Sequence, residues 1–282
     1  LITHHSSLIP MLLFPNAKIN IGLNIISRRD DGYHNIETLF FPVGLKDALE
    51  FVENSSGQIN LSMSGIPMDL DPRNNLIVKA YHLLASKNRL PGLDVHLHKA
   101  IPFGAGLGGG SSDAAFFLNG LNDYFALGLS KAELKTLAYQ LGADCSFFIE
   151  NRPALATGIG EILKPLEVNL PGYHLLIVKP SFGVPTKEAY ARTIPSVPAI
   201  PLAESIKKKP GEWMNLVRND FEFSVFQVYP EIEKIKNYLI EKGAVYASMS
   251  GSGSSVFGLF TSEPDLSGSF FKNDYFIWKE LL

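Results

Sequence analysis

The sequence predicts an α+β fold with mixed sheets, and three observations point there. Strand-like and helix-like stretches come in blocks (strands, helices, strands, helices, strands) without regular β-α-β alternation. A loop carrying Gly104, Gly106, Gly108, Gly109 and Gly110 follows an alternating apolar run at 93–98 and precedes an apolar helical pattern at 114–121. A second small-residue loop, Ser250-Gly251-Ser252-Gly253-Ser254, separates two short apolar runs nearer the C terminus.

Bulk properties narrow the class. At 282 residues the chain can build a large core and two domains. A hydrophobic content of 46% with 19% charged residues excludes disorder. The net charge of −3 leaves no footprint for nucleic acid or an anionic membrane, and no apolar run is long enough to span one. Cys145 is the only cysteine, which rules out an internal disulfide and fits a cytoplasmic protein. Lys207-Lys208-Lys209, before Pro210-Gly211, reads as a solvated loop. Residues 1–10 lack the marks of a signal peptide. They read as an extension ahead of a natural start at Met11, with His4-His5 as part of it rather than a metal site.

In chain order, 12–14 and 17–26 read as strands, the second with Ile19, Ile21, Leu23 and Ile25 on one face. A turn at 28–32 leads to the 33–41 segment. Residues 49–53 and 59–64 read as a hairpin turning at Asn54-Ser55-Ser56-Gly57. A helix is predicted over 75–86 and an alternating strand over 93–98. After the glycine loop a helix starts near Ser111. Ser130-Lys131-Ala132-Glu133 is a capping box for the next one, with Gly142 suited to its C′ position. A buried strand at 173–179 ends at Pro180, and the proline-rich 194–201 is a loop. Helices at 219–229 and 230–242 precede a hairpin of 245–249 and 255–260. A weak boundary falls near Arg152-Pro153.

The glycine loop is built for phosphate. Glycine lets backbone N–H groups approach an anion at positive φ, and a helix N-terminus adds unpaired N–H groups and a favourable dipole. A P-loop would need a lysine after Gly110, where Ser111-Ser112 stands. Gly104-x-Gly106-x-x-Gly109 fits the dinucleotide spacing, but no acidic residue about 20 positions on ends a second strand. A protein-kinase loop would lie between two strands. A plain glycine connector is the bland alternative.

Four further clusters carry candidate chemistry. Lys18 and Asn20 share the strand face opposite Ile19 and Ile21; strand physics alone makes Lys18 solvent-facing. Gly32-Tyr33-His34 closes a turn ahead of Glu37-Thr38-Leu39-Phe40. Leu141-Gly142-Ala143-Asp144 leaves a carboxylate behind a helix stop, where it reads equally as a cap of the next segment. Ser248-Met249-Ser250-Gly251-Ser252-Gly253-Ser254 reads as a third ligand loop or as a hairpin turn.

Pro102-x-Gly104-x-Gly106-Leu107-Gly108-Gly109-Gly110-Ser111-Ser112 resembles the phosphate loop of the GHMP small-molecule kinases. With Pro15-Asn16-Ala17-Lys18-Ile19-Asn20, Asp31-Gly32-Tyr33-His34 and Leu141-Gly142-Ala143-Asp144 in this order, the chain resembles one branch of that family from about Pro15 to Phe257. That branch phosphorylates the 2-hydroxyl of a cytidine diphosphate-linked methylerythritol in non-mevalonate isoprenoid biosynthesis. The resemblance implies a two-domain GHMP kinase fold with the active site in the interdomain cleft. Its N-terminal ATP-binding domain would span 11–155 and its C-terminal domain 156–282.

Residue by residue, the resemblance makes Asp144 the catalytic carboxylate and Lys18 its cationic partner. Asn20, Tyr33, His34, Thr186 and Tyr190 become acceptor contacts, with two aromatics sandwiching cytosine and His34 reading its edge. The family often has Phe where Tyr190 stands. Asn75 and Lys99 match adenine-side positions, and Gly104, Gly106, Leu107, Gly108, Gly109, Gly110, Ser111 and Ser112 match the triphosphate cradle. ATP is the implied co-substrate and Mg²⁺ the expected ion, with Ser112 a candidate ligand. The partner is a small molecule; oligomeric state is not implied. The competing readings are a GHMP kinase for mevalonate, homoserine or a sugar, and a non-catalytic nucleotide sensor or RNA-binding module.

Overall fold

A computed structural model describes residues 9–67 and 74–282, so most of the expected N-terminal extension, including His4-His5, lies outside the described residues. Along the chain come β1 (Met11–Leu13), β2 (Asn16–Arg28), β3 (His34–Lys46), β4 (Ala48–Asn54), β5 (Ile59–Gly65), α1 (Leu76–Ala85) and β6 (Gly92–Lys99). Then follow α2 (Gly109–Tyr124), α3 (Lys131–Leu141), α4 (Cys145–Glu150), β7 (Ala154–Thr157), β8 (Ile162–Pro165) and β9 (His174–Lys179). The chain closes with α5 (Thr186–Ala191), α6 (Leu202–Ser205), a 3₁₀ turn (Pro210–Asn215), α7 (Phe221–Val228), α8 (Pro230–Glu241), β10 (Tyr246–Met249), β11 (Val256–Phe260) and β12 (Phe276–Leu281). No described helix is long and apolar enough to cross a membrane.

Two compact units result, each discontinuous in sequence. One takes the segment ending at Asn16, residues 46–101 and 109–150; the other takes 17–45, 102–108 and 151–282. The sequence divides most simply at one cut near 155, but packing divides it differently. β2 and β3 share a sheet with β7 and β8, in the order β2-β3-β7-β8, and so join the later half of the chain.

The first unit carries a mixed sheet ordered β1-β4-β6-β5. The hairpin expected of β4 and β5 does not form, because β6 lies between them. Leu93 pairs with Glu53 antiparallel on one side and with Ile59 parallel on the other. The loop between β4 and β5 is wide enough to admit Gly92, where an added Cβ would come within 2.2 Å of Asn54 Oδ1 and 2.5 Å of Gln58 N. β6 alternates as expected, burying Leu93, Val95 and Leu97. Against this sheet α2 packs Phe117 edge-on to Phe51 at 5.4 Å, and Gly120 makes room for Leu13. The Ser130–Glu133 capping box forms. Gly142 caps α3 at φ 166°, extended backbone rather than the left-handed stop its position suggested.

The second unit holds the β2-β3-β7-β8 sheet and another ordered β10-β11-β9-β12. β10 and β11 form the expected hairpin, Met249 opposite Val256. Phe221 and Val225 of α7 and Ile232, Ile235 and Leu239 of α8 pack with Leu176, Val178 and Val256. β2 is buried on both faces from Asn16 to Leu23, against the one-sided burial its alternation suggested. The reason lies in the C-terminal chain: Leu23 N donates to Arg218 O at 2.8 Å, and Leu202 and Val217 crowd Gly22. Lys207, Lys208 and Lys209 are exposed, as expected of a solvated loop.

Candidate active site

Lys18 is only 3% exposed, so its placement on a solvent face is corrected. Burying an ammonium is costly unless dipoles or charges meet it. Here Nζ donates to Asn20 Oδ1 at 2.6 Å and to the Gly106 carbonyl at 3.2 Å, and sits 5.0 Å from the centre of the Phe40 ring. Asn20 is itself fixed: its Nδ2 donates to Thr38 Oγ1 at 2.9 Å, and that hydroxyl donates to the Gly22 carbonyl at 2.6 Å. The side-chain amide is thereby oriented with its oxygen toward Lys18.

The same corner holds two loops together. Lys18 N donates to Leu107 O at 2.9 Å, and Ser250 Oγ donates to the Gly106 carbonyl at 2.8 Å. Asn20 N donates to Ser250 Oγ at 3.2 Å. Gly106 has φ +73°, and a Cβ there would fall 2.0 Å from Ser250 O. Asn219 Nδ2 pins the far loop through the carbonyls of Met249 (2.7 Å) and Gly251 (2.8 Å). Ser250-Gly251-Ser252-Gly253-Ser254 therefore turns a hairpin and also backs the glycine loop. Thr38 and Ser250 lie in segments the sequence already marks as candidates, but without a role of their own; Asn219 carries no such signal, since a buried asparagine has no distinctive spacing.

Gly104, Gly106 and Gly108 all take positive φ, at 62°, 73° and 71°. Leu107 is buried between them. α2 begins at Gly109, two residues earlier than expected, so Gly109, Gly110, Ser111 and Ser112 form its first turn. The first N–H groups of a helix lack intrahelical acceptors, which makes this turn an anion-binding end. Ser112 Oγ is fully buried with no hydrogen-bond partner. Burial pushes the Cys145 thiol up to about 12, against the opposing pull of the Ser111 hydroxyl.

Asp144 is the residue immediately before α4, in the short link after α3, and is partly buried; its carbonyl accepts from Phe147 N at 3.2 Å. Both adenine-side candidates have structural partners. Asn75 caps α1, its Oδ1 accepting from Ile77 N at 2.9 Å. Lys99 is 3% exposed and bound to Asp47 and Asp113.

The candidate acceptor residues lie in the second unit. His34 stacks on Tyr190, centroids 4.7 Å apart and planes 19° from parallel. Tyr190 also meets the edge of Phe221 at 4.7 Å. Burial, then the Arg28 charge, hold the His34 imidazole below its ordinary range, so it is neutral at pH 7. Tyr33 stands apart from this stack, 60% exposed on the turn. Thr186 Oγ1 lies 3.2 Å from Ser252 Oγ. Among the described residues no cluster of three His, Cys, Asp or Glu side chains could hold a metal ion.

Two family models match the chain: GHMP kinases N terminal domain over residues 75–151 and GHMP kinases C terminal over 202–267. A Bacteroides fragilis protein named 4-diphosphocytidyl-2-C-methyl-D-erythritol kinase is 50% identical over 273 residues, covering 96% of this chain and all of its own. A Parabacteroides distasonis protein of the same name is 49% identical over 269 residues, covering 95% of this chain and 98% of its own. A crystal structure of 4-(cytidine 5'-diphospho)-2C-methyl-D-erythritol kinase aligns with a TM-score of 0.76 at 35% identity, covering 88% of this chain and 90% of that one. A homoserine kinase from Cytophaga hutchinsonii aligns at 0.71 and 16% identity over 93% of this chain and 89% of its own, a likeness of fold alone.

Proposed function

This chain belongs to the GHMP kinases, and within them to the 4-diphosphocytidyl-2-C-methyl-D-erythritol kinases; on that premise we propose how its residues divide the work. The reaction moves the γ-phosphoryl group of ATP to the 2-hydroxyl of the cytidylated methylerythritol. An O–P bond forms at that hydroxyl, the bond from γ-phosphorus to the β–γ bridging oxygen breaks, and ADP leaves. Little covalent chemistry falls to the protein; it positions both reactants and balances charge.

One observation carries the assignment of roles: a buried ammonium, Lys18, aimed by Asn20 at the carbonyl of Gly106 inside the glycine loop. A lysine held this way supplies fixed positive charge for a hydroxyl and a phosphoryl oxygen. Asp144 orients the acceptor hydroxyl and takes its proton, which becomes acidic late in a loose transition state. Gly104 to Gly108 bend the backbone around the phosphates, and the first turn of α2 offers its N–H groups to them. Tyr33 offers an exposed ring to cytosine, and the neutral His34 imidazole has one donor and one acceptor for the base edge.

Mg²⁺ would neutralise charge on the phosphates. Ser112 Oγ, buried and unpartnered, is one oxygen donor available for it, and Mg²⁺ commonly takes few protein ligands beside phosphates and water. On this reading the protein acts in the cytoplasm on a small-molecule substrate.

Offering homoserine, mevalonate, galactose and the cytidylated methylerythritol separately, with ATP, and measuring ADP release tests it. Turnover confined to the cytidylated alcohol is expected. Comparable turnover of another alcohol would overturn the assignment of acceptor.

A further inference from the structure

The glycine loop is held at its base by an ion cluster that no part of the proposed chemistry uses. Lys99, the last residue of β6, binds Asp47 and, at 2.8 Å, Asp113 Oδ2. Their side chains are 3%, 0% and 4% exposed. Asp47 sits in the one-residue link between β3 and β4, and its Oδ1 accepts from Ala100 N at 2.6 Å and Ile101 N at 2.8 Å. Its own N–H donates to Pro15 O at 2.8 Å. Asp113 lies on the first turns of α2.

Ala100 and Ile101 form the stem by which the chain enters the loop; Gly109 to Asp113 form the stem by which it leaves. Asp47 holds the entry stem, Asp113 belongs to the exit stem, and the Lys99 ammonium joins them. Gly109 completes the closure: a Cβ there would fall 2.9 Å from Ile101 Cγ2 and 3.3 Å from Lys99 Nζ. The two stems therefore meet with no space for a side chain. Burying charged and polar side chains together is costly, and such a cluster is retained only where its geometry matters or its partners satisfy it.

We propose that Asp47, through Lys99 and Asp113, is a positioning residue for nucleotide binding: it fixes the spacing of the two loop stems so that the backbone N–H groups are preset for the phosphates. This rests on the glycine loop binding ATP, as proposed above. Preset donors avoid the cost of ordering a loop when ligand arrives, so loosening the stems lowers ATP affinity and leaves the bound complex competent. Lys99 contributes to ATP binding through the loop stems, not by reaching adenine with its ammonium.

The test is calorimetric titration of the full chain with ATP, together with steady-state kinetics, on the parent, Asp47→Asn, Asp113→Ala and Asp113→Asn. Asp47→Asn presents an amide where two N–H groups and an ammonium need a carboxylate. Its Kd and KM for ATP are expected to rise at least tenfold, with kcat at saturating ATP and KM for the acceptor within twofold of the parent. Asp113→Ala should show the same split, and Asp113→Asn, which keeps an oxygen for Lys99, should recover most of the affinity. A purely structural role would lower the unfolding temperature and leave the ATP constants unmoved in the folded fraction. Unchanged ATP affinity in Asp47→Asn, or in Asp113→Ala should the first variant not fold, overturns the proposal. A parent chain that does not bind ATP sinks the glycine-loop reading itself, and the positioning role with it.

Discussion

Asn20 Oδ1 accepts a 2.6 Å hydrogen bond from Lys18 Nζ, the two residues standing side by side on one face of β2. Residues two apart in a strand point the same way, so the pair is set by the backbone and needs no loop to bring it together. The opposite end of the amide is tied to Thr38, which leaves Asn20 one productive orientation.

Asn20→Ala should cut kcat by roughly 10- to 100-fold, since a hydrogen bond to a charged group is worth about 1.5–3 kcal/mol. The acceptor KM should rise less. Steady-state kinetics on the purified variant checks this, and a kcat within threefold of the parent would show that Lys18 needs no such guide.

Gly106→Ala should destabilise the protein by about 1–3 kcal/mol or more, because a side chain must be forced into a left-handed residue and against the Ser250 carbonyl. Urea unfolding measures it. Parent-like stability would mean that the two loops part easily.

Tyr33→Ala separates packing from recognition. At 60% exposure the ring supports little of the core, so stability should change by no more than about 0.5 kcal/mol. Stacking on a base is worth about 1–3 kcal/mol, so the acceptor KM should rise roughly 5- to 150-fold. A fall in kcat with unchanged KM would assign the ring some other task.

The buried Asp113 gives stability a pH dependence. Burial, against the pull of Lys99, pushes its carboxyl up to about 8 from an ordinary value of 3.8. The folded chain thus keeps a proton that the unfolded chain releases near pH 4. Its contribution is complete below that point and is lost as pH rises toward 8, by at most about 1.4 kcal/mol per pH unit. Asp113→Asn removes the dependence, so unfolding free energies at pH 5, 6.5 and 8 should shift progressively in the variant's favour. Parallel pH curves for the two chains would contradict a proton on Asp113.

Local chemistry was legible in the sequence and long-range pairing was not. The glycine loop, the Ser130 cap and the β10–β11 hairpin are each written in a few adjacent residues. The insertion of β6 between β4 and β5 is decided by a strand some 30 residues further on, which no local turn signal reports. β7, β8 and β12 are too short or too exposed to announce themselves; β12 buries only alternate residues, and those partly. Lys18 shows the same limit at the site. Alternation placed it opposite an apolar face, but chain from the C-terminal half covers that second face as well.

The most direct test couples ADP release to 4-diphosphocytidyl-2-C-methyl-D-erythritol in the parent and in Asp144→Asn. The parent should turn over with this alcohol, and the variant should bind ATP normally while losing about 10²–10⁴-fold in kcat, the usual contribution of a positioned acid–base group. Near-parent turnover by Asp144→Asn would contradict the division of labour between Asp144 and Lys18.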